Sequence, residues 1–216
     1  WMEGAGGIYC ENEAMEWLVS LTGLPKGAFG VFTSGGTAAN LSAMVTAREH
    51  WRSNPKNLNK KGIMVTSSGA HSSVKSMAKV IDAEVLLVPT ETAMTAADIE
   101  KAVSQLTPEA QERVFAIVAT GGTTNAGIID DLAGVATYCE NHHLWFHVDA
   151  AYGGGALAAP SVRDLFIGIE RADSITIDPH KWLFSPYDCG AIIYKKPELA
   201  RAAHSQEGSY LDIFKD

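Results

Sequence analysis

Two hydrophobic patterns alternate along this chain, and the alternation predicts its fold. Short, nearly unbroken apolar runs occur at Gly30-Val31-Phe32, Ile63-Met64-Val65, Val85-Leu86-Leu87-Val88, residues 114–120, Leu144-Trp145-Phe146-His147-Val148 and Ser174-Ile175-Thr176-Ile177. Runs of this length, rich in β-branched and aromatic residues, read as strands. Between them apolar residues recur at the spacing of one helix face. Ala14, Trp17, Leu18 and Leu21 mark a helix over residues 13–22, ended by Gly23 and Pro25. Leu41, Met44, Val45 and Arg48 mark a second, Val74, Met77, Ala78 and Ile81 a third, and Leu132, Val135, Ala136 and Cys139 another. Residues 95–106 also read as a helix, with Asp98 in the first turn, where a carboxylate suits the helix dipole. The polar and basic residues 53–61 read as a loop.

Strands without polar alternation are buried on both faces, so the pattern predicts an α/β fold: a mostly parallel sheet with helices on both faces. In such sheets ligands bind beyond the carboxyl ends of the strands. That rim receives two Gly-Gly-Thr turns, at Gly35-Gly36-Thr37 and Gly121-Gly122-Thr123, together with His71, Asp149 and Lys181.

Composition narrows the partners. The 216 residues suffice for one domain with a substantial core. A net charge of -8 argues against nonspecific binding to nucleic acid or an anionic membrane, which leaves a small molecule or another protein. Cys10, Cys139 and Cys189 form no CxxC, so neither a disulfide framework nor a zinc knuckle is expected, and a reducing cytoplasm fits. No apolar run approaches the length of a membrane span. The chain starts at Trp1 and its last residues close no obvious element, so it is expected to be a piece of something longer.

Ser34-Gly35-Gly36-Thr37 at a helix start suits an anion, because glycines let backbone N–H groups approach closely and Thr37 adds a hydroxyl. The same residues also read as a simple N-cap. No Gly-Lys-Ser/Thr follows, which excludes a P-loop, and no GxSxG elbow is present. On its strand Asp149 shares one face with Trp145 and His147, and it either caps the next turn or holds a protonated ring nitrogen. His142, His143 and His147 lead from a turn into a strand, where residues four apart do not converge, so no metal site is expected. Lys181 stands between His180 and Trp182. It reads either as a partly desolvated amine nucleophile or as a snorkelling surface lysine.

Four stretches in order carry a resemblance: Phe32-Thr33-Ser34-Gly35-Gly36-Thr37-Ala38-Ala39-Asn40-Leu41, Ala70-His71-Ser72-Ser73-Val74, His147-Val148-Asp149-Ala150-Ala151-Tyr152-Gly153-Gly154 and Asp178-Pro179-His180-Lys181-Trp182. Their order and spacing resemble those of the group II pyridoxal-phosphate-dependent amino acid decarboxylases, which include the aromatic amino acid, histidine and glutamate decarboxylases. The similarity runs from the Trp17 helix to Tyr210-Leu211.

The resemblance implies the large domain of fold type I, the aspartate-aminotransferase-like fold. On that reading residues 1–216 are a partial large domain, without an N-terminal segment and a C-terminal small domain, and the working unit is a homodimer. The implied cofactor is pyridoxal 5'-phosphate, with Lys181 forming the Schiff base to its aldehyde and Asp149 pairing with the pyridine nitrogen. His71 would stack on one ring face and Ala151 would admit the other. Gly36 and Thr37 would bind the phosphate, Thr124 would contact the cofactor, and His180 would lie beside the Schiff base or the phosphate. The implied reaction is decarboxylation of an L-amino acid to its amine, leaning to an aromatic or bulky apolar substrate. Glutamate decarboxylation, transamination and an inactive cofactor-binding fragment are the alternatives.

Two departures stand out. Asp178 occupies a position where many animal members carry Asn, so its side chain is expected either to face away from the phosphate or to be protonated. Tyr210 resembles a tyrosine near the start of the mobile catalytic loop, which places the proton-donating tyrosine beyond Asp216.

Overall fold

The computed structural model describes residues 4–205, so Tyr210 lies outside the described residues. Seven strands form one sheet: β1 (Phe29–Thr33), β2 (Ile63–Ser67), β3 (Glu84–Val88), β4 (Val114–Thr120), β5 (Trp145–Asp149), β6 (Ser174–Ile177) and β7 (Gly190–Tyr194). They run in the order β1-β7-β6-β5-β4-β2-β3. Strands β3, β2, β4, β5 and β6 pair in parallel, and β7 is antiparallel to both β6 and β1. The predicted mostly parallel sheet is therefore present. The sequence reading did not single out β7. The connection from β6 to β7, residues 178–189, contains no helix to carry the chain back across the sheet, so the next strand returns antiparallel.

The helices are α1 (Ala5–Thr22), α2 (Gly36–Arg52), α3 (Ser73–Val80), α4 (Ala96–Val103), α5 (Pro108–Gln111), α6 (Leu132–His142) and α7 (Pro197–Ala203). One sheet face buries Phe146, Val148, Ile175 and Ile193 with Leu18 of α1, Ile99 of α4 and Leu132 of α6. The other buries Met64, Val118, Trp145 and Ile192 with Met44 of α2 and Met77 of α3. Alternate residues of β5 divide between the two faces, as expected of a strand buried on both sides.

The predicted faces of α3 and α6 are buried in full. At α4 a capping box defines the start: Asp98 N donates to Thr95 Oγ1, and the Asp98 carboxylate accepts from Thr95 N at 3.0 Å. Two predicted faces are rotated. On α2 the buried residues are Gly36, Ala39, Asn40, Ala43, Met44, Thr46 and Ala47, while Leu41 and Val45 are half-buried. Small residues let this helix lie close over the sheet, and the bulkier ones flank it. On α1 Met15, Leu18 and Thr22 are buried, and Trp17 is 48% exposed rather than in the core. No described helix is long and apolar enough to cross a membrane.

Candidate active site

Strand β1 ends at Thr33, and the chain turns through Ser34 and Gly35 into α2. Gly35 is the N-cap, with φ 122°, a region that favours glycine. No side chain caps this helix; instead Thr33 Oγ1 donates to Gly35 O at 3.1 Å. The N-cap alternative for Ser34 or Thr37 is thereby excluded, and the first N–H groups of α2 are left without a capping side chain. The close packing leaves no room for a side chain at Gly36. A Cβ there would lie 2.8 Å from Asp178 Oδ2 and 3.0 Å from the Ala151 methyl.

Around this turn lies a cavity of about 310 Å³. Gly36, Thr37, His71, Thr124, Asp149, Ala151, His180 and Lys181, the residues singled out in the sequence, all line it. They arrive from separate elements: the start of α2, the loop before α3, the turn after β4, the end of β5 and the segment after β6.

Lys181 Nζ lies 2.9 Å from Asp178 Oδ2, with the lysine side chain 32% exposed. It is neither fully buried nor free on the surface. Asp178 does not face away, as the sequence suggested it could. It lies inside the site, buried, with Oδ2 toward Lys181 and 3.8 Å from His180 Nε2, and with Oδ1 lacking a hydrogen-bond partner. His180 Nδ1 accepts from Cys189 N at 2.8 Å, and the ring meets Tyr187 edge-on at 4.9 Å. His71 Nδ1 accepts from Ser73 N at 3.2 Å and lies 2.9 Å from Ser73 Oγ, which fixes the ring at the cavity wall.

Asp149 is buried at the cavity floor. Its Oδ1 accepts from Ala151 N at 3.2 Å and its Oδ2 from Asn40 Nδ2 at 2.9 Å. Burial pushes its carboxyl above the usual carboxylate range, opposed by those two donors and by the Lys181 charge. Asn40 in turn meets His147 Nε2 at 3.0 Å, His147 Nδ1 meets Ser174 Oγ at 2.8 Å, and Trp145 Nε1 donates to Ser174 Oγ at 2.8 Å. Among the described residues no group of three or more His, Cys, Asp or Glu side chains is placed to hold a metal ion.

The sequence reading missed Asn40, Ser73, Thr120, Tyr152 and Tyr187 as lining residues. A signal for Asn40 existed. It lies one helical turn beyond Gly36, a polar residue on the face that carries Ala39 and Ala43 into the core.

A mostly parallel sheet carrying an amine, a buried acid and an uncapped helix start on one rim defines a fold type I pyridoxal phosphate enzyme. Residues 7–215 match the profile of the pyridoxal-dependent decarboxylase conserved domain, and the chain belongs to that family. An aromatic-L-amino-acid decarboxylase of Bacillus atrophaeus is 33% identical over 92% of this chain and 42% of its own length. The human acidic amino acid decarboxylase GADL1 is 35% identical over 94% of this chain and 41% of its own length. The Oryza sativa TDC solved with PLP and tryptamine superposes with a TM-score of 0.88 at 25% identity, over 98% of this chain and 46% of that one. The chain thus spans less than half the length of these relatives. Its cofactor is pyridoxal 5'-phosphate. The residues present fit that group: uncapped amides for a phosphate, Lys181 for an aldehyde, and the acceptor Asp149 for a ring nitrogen.

Proposed function

We propose that this chain is the cofactor-binding part of an enzyme that decarboxylates an L-amino acid to its amine. The observation that carries the reading is the convergence of Lys181, Asp149, His71 and the α2 amides on one cavity. Lys181 is the amine that bonds the cofactor aldehyde, and Gly36 and Thr37 hold the phosphate. Asp149 holds the ring nitrogen protonated, and a cationic or uncharged residue there would not. His71, fixed through Nδ1, would stack on one ring face, and the small Ala151 would leave room at the other. Thr124 and His180 close the cavity around these contacts. When bound, the cofactor supplies an electron-accepting ring that stabilises the negative charge left at the substrate α-carbon.

For the substrate we favour an aromatic or bulky apolar amino acid. Support comes from the aromatic-L-amino-acid decarboxylase relative and from Tyr152 and Tyr187 on the cavity wall, with Trp182 edge-on to Tyr152 at 5.8 Å. The acidic amino acid decarboxylase relative favours a second reading, an acidic substrate. The working unit we propose is a homodimer, as the resemblance implies.

The deciding assay measures carbon dioxide release from aromatic, acidic and diamino acids, alongside amino transfer to a keto acid. Aromatic amino acids are expected to release carbon dioxide fastest. Amino transfer without carbon dioxide would reject decarboxylation.

A further inference from the structure

The hydrogen bonds behind Asp149 form a single buried line: Trp145, Ser174, His147, Asn40, Asp149. All five residues are buried, with His147 and Ser174 at 0% exposure. They join three elements, since Trp145, His147 and Asp149 project from β5, Ser174 from β6 and Asn40 from α2.

The protons along this line have one arrangement with Asp149 ionised. A carboxylate can only accept, so the Asn40 amide presents Nδ2 to Asp149 and leaves Oδ1 to His147 Nε2, which must donate. A neutral imidazole with its proton on Nε2 accepts at Nδ1, from Ser174 Oγ, and that oxygen itself accepts from Trp145 Nε1. The direction is set at the acid end. Burial supports a neutral ring, because it pushes the His147 pKa down to about 3.

We propose that Asn40 and His147 are positioning residues for the cofactor, and that the buried line behind them holds a fixed donor on Asp149 Oδ2. The donor keeps the Asp149 carboxylate an acceptor and turns its free lone pairs to the cavity, where a protonated ring nitrogen needs them. Backbone N–H of Ala151 secures the other oxygen. The proposal rests on the cofactor reading above, but its first test does not need the cofactor.

In the full chain, with histidine labelled with nitrogen-15 and no cofactor added, His147 is expected to be neutral with its proton on Nε2. A proton on Nδ1, or a ring that titrates near neutral pH, would overturn the line.

His147→Leu should weaken pyridoxal phosphate binding by about tenfold and shift the pH profile of the bound cofactor's visible absorbance. His147→Gln, which can accept from Ser174 and donate to Asn40, should recover most of both. Equal behaviour of Leu and Gln would reduce the histidine to packing. Should His147→Leu not fold, Asn40→Leu provides the same comparison against wild type, with an unchanged affinity as the overturning result. A wild-type chain that binds no pyridoxal phosphate would reject the cofactor reading instead, and the tautomer measurement would still judge the line.

Discussion

Lys181 and Asp178 face each other at 2.9 Å, and each governs a different term in cofactor capture. Lys181→Ala removes the amine, so the visible absorbance of lysine-bound cofactor should vanish, and borohydride should trap no adduct. An adduct on another lysine would overturn the assignment. Asp178 places a negative charge beside Gly36, where the helix start should receive a phosphate. Asp178→Asn should therefore tighten pyridoxal phosphate binding by about tenfold, the size of one modest charge repulsion. Fluorescence titration checks this, and weaker binding would show that the carboxylate orders Lys181 more than it repels phosphate. Residues such as Asp149 and Lys181 were legible because an acid or amine next to an apolar strand is out of place there. The signal at Asn40 was ambiguous, because a single polar residue on a helix also reads as solvent-facing, and its burial depends on how α2 is rotated over the sheet.

The elements around the cavity are stitched together by Asp130, which the sequence did not single out. Its Oδ1 accepts from Met94 N and its Oδ2 from Thr120 N, each at 2.7 Å, tying the approach to α4 to the end of β4. Burial pushes its carboxyl up to about 6 despite those two donors. The unfolded chain releases this proton first, so the Asp130 contribution to stability is fully present at low pH and is lost as pH rises from about 4 to about 6. The loss is about 3 kcal/mol for a shift of this size. Urea midpoints of wild type and Asp130→Asn, compared across that window, should diverge, since the variant has no proton to lose; a constant difference would refute this. Strand and helix types were readable from periodicity. Strand direction was not, because β7 has the same apolar run whichever way it lies, and the helix-free segment before it decides.

Across the whole molecule the buried His147 sets an opposite dependence. Its ring stays neutral in the folded chain while the unfolded chain protonates below about 6.5, so this contribution is lost as pH falls from about 6.5 toward 3. His147→Gln should flatten acid unfolding over that range, measured by urea midpoints, and an equally steep loss in the variant would disprove the source. The layered α/β architecture was legible because the internal strands are short, largely apolar runs separated by helix-period segments. The pairing of the first strand with the last was not, since no local pattern encodes a partner 159 or 157 positions away, as in Phe32↔Ala191 and Thr33↔Gly190. That pairing has a bearing on biosynthesis. Gly190 packs on the Gly35 backbone, 2.6 Å from the Cα to where a Cβ would stand, so the turn proposed to hold the phosphate is braced only once β7 has arrived. A ribosome must therefore release all seven of these strands before that turn is braced, so cofactor capture is expected to follow the arrival of β7, as a seal and not a seed.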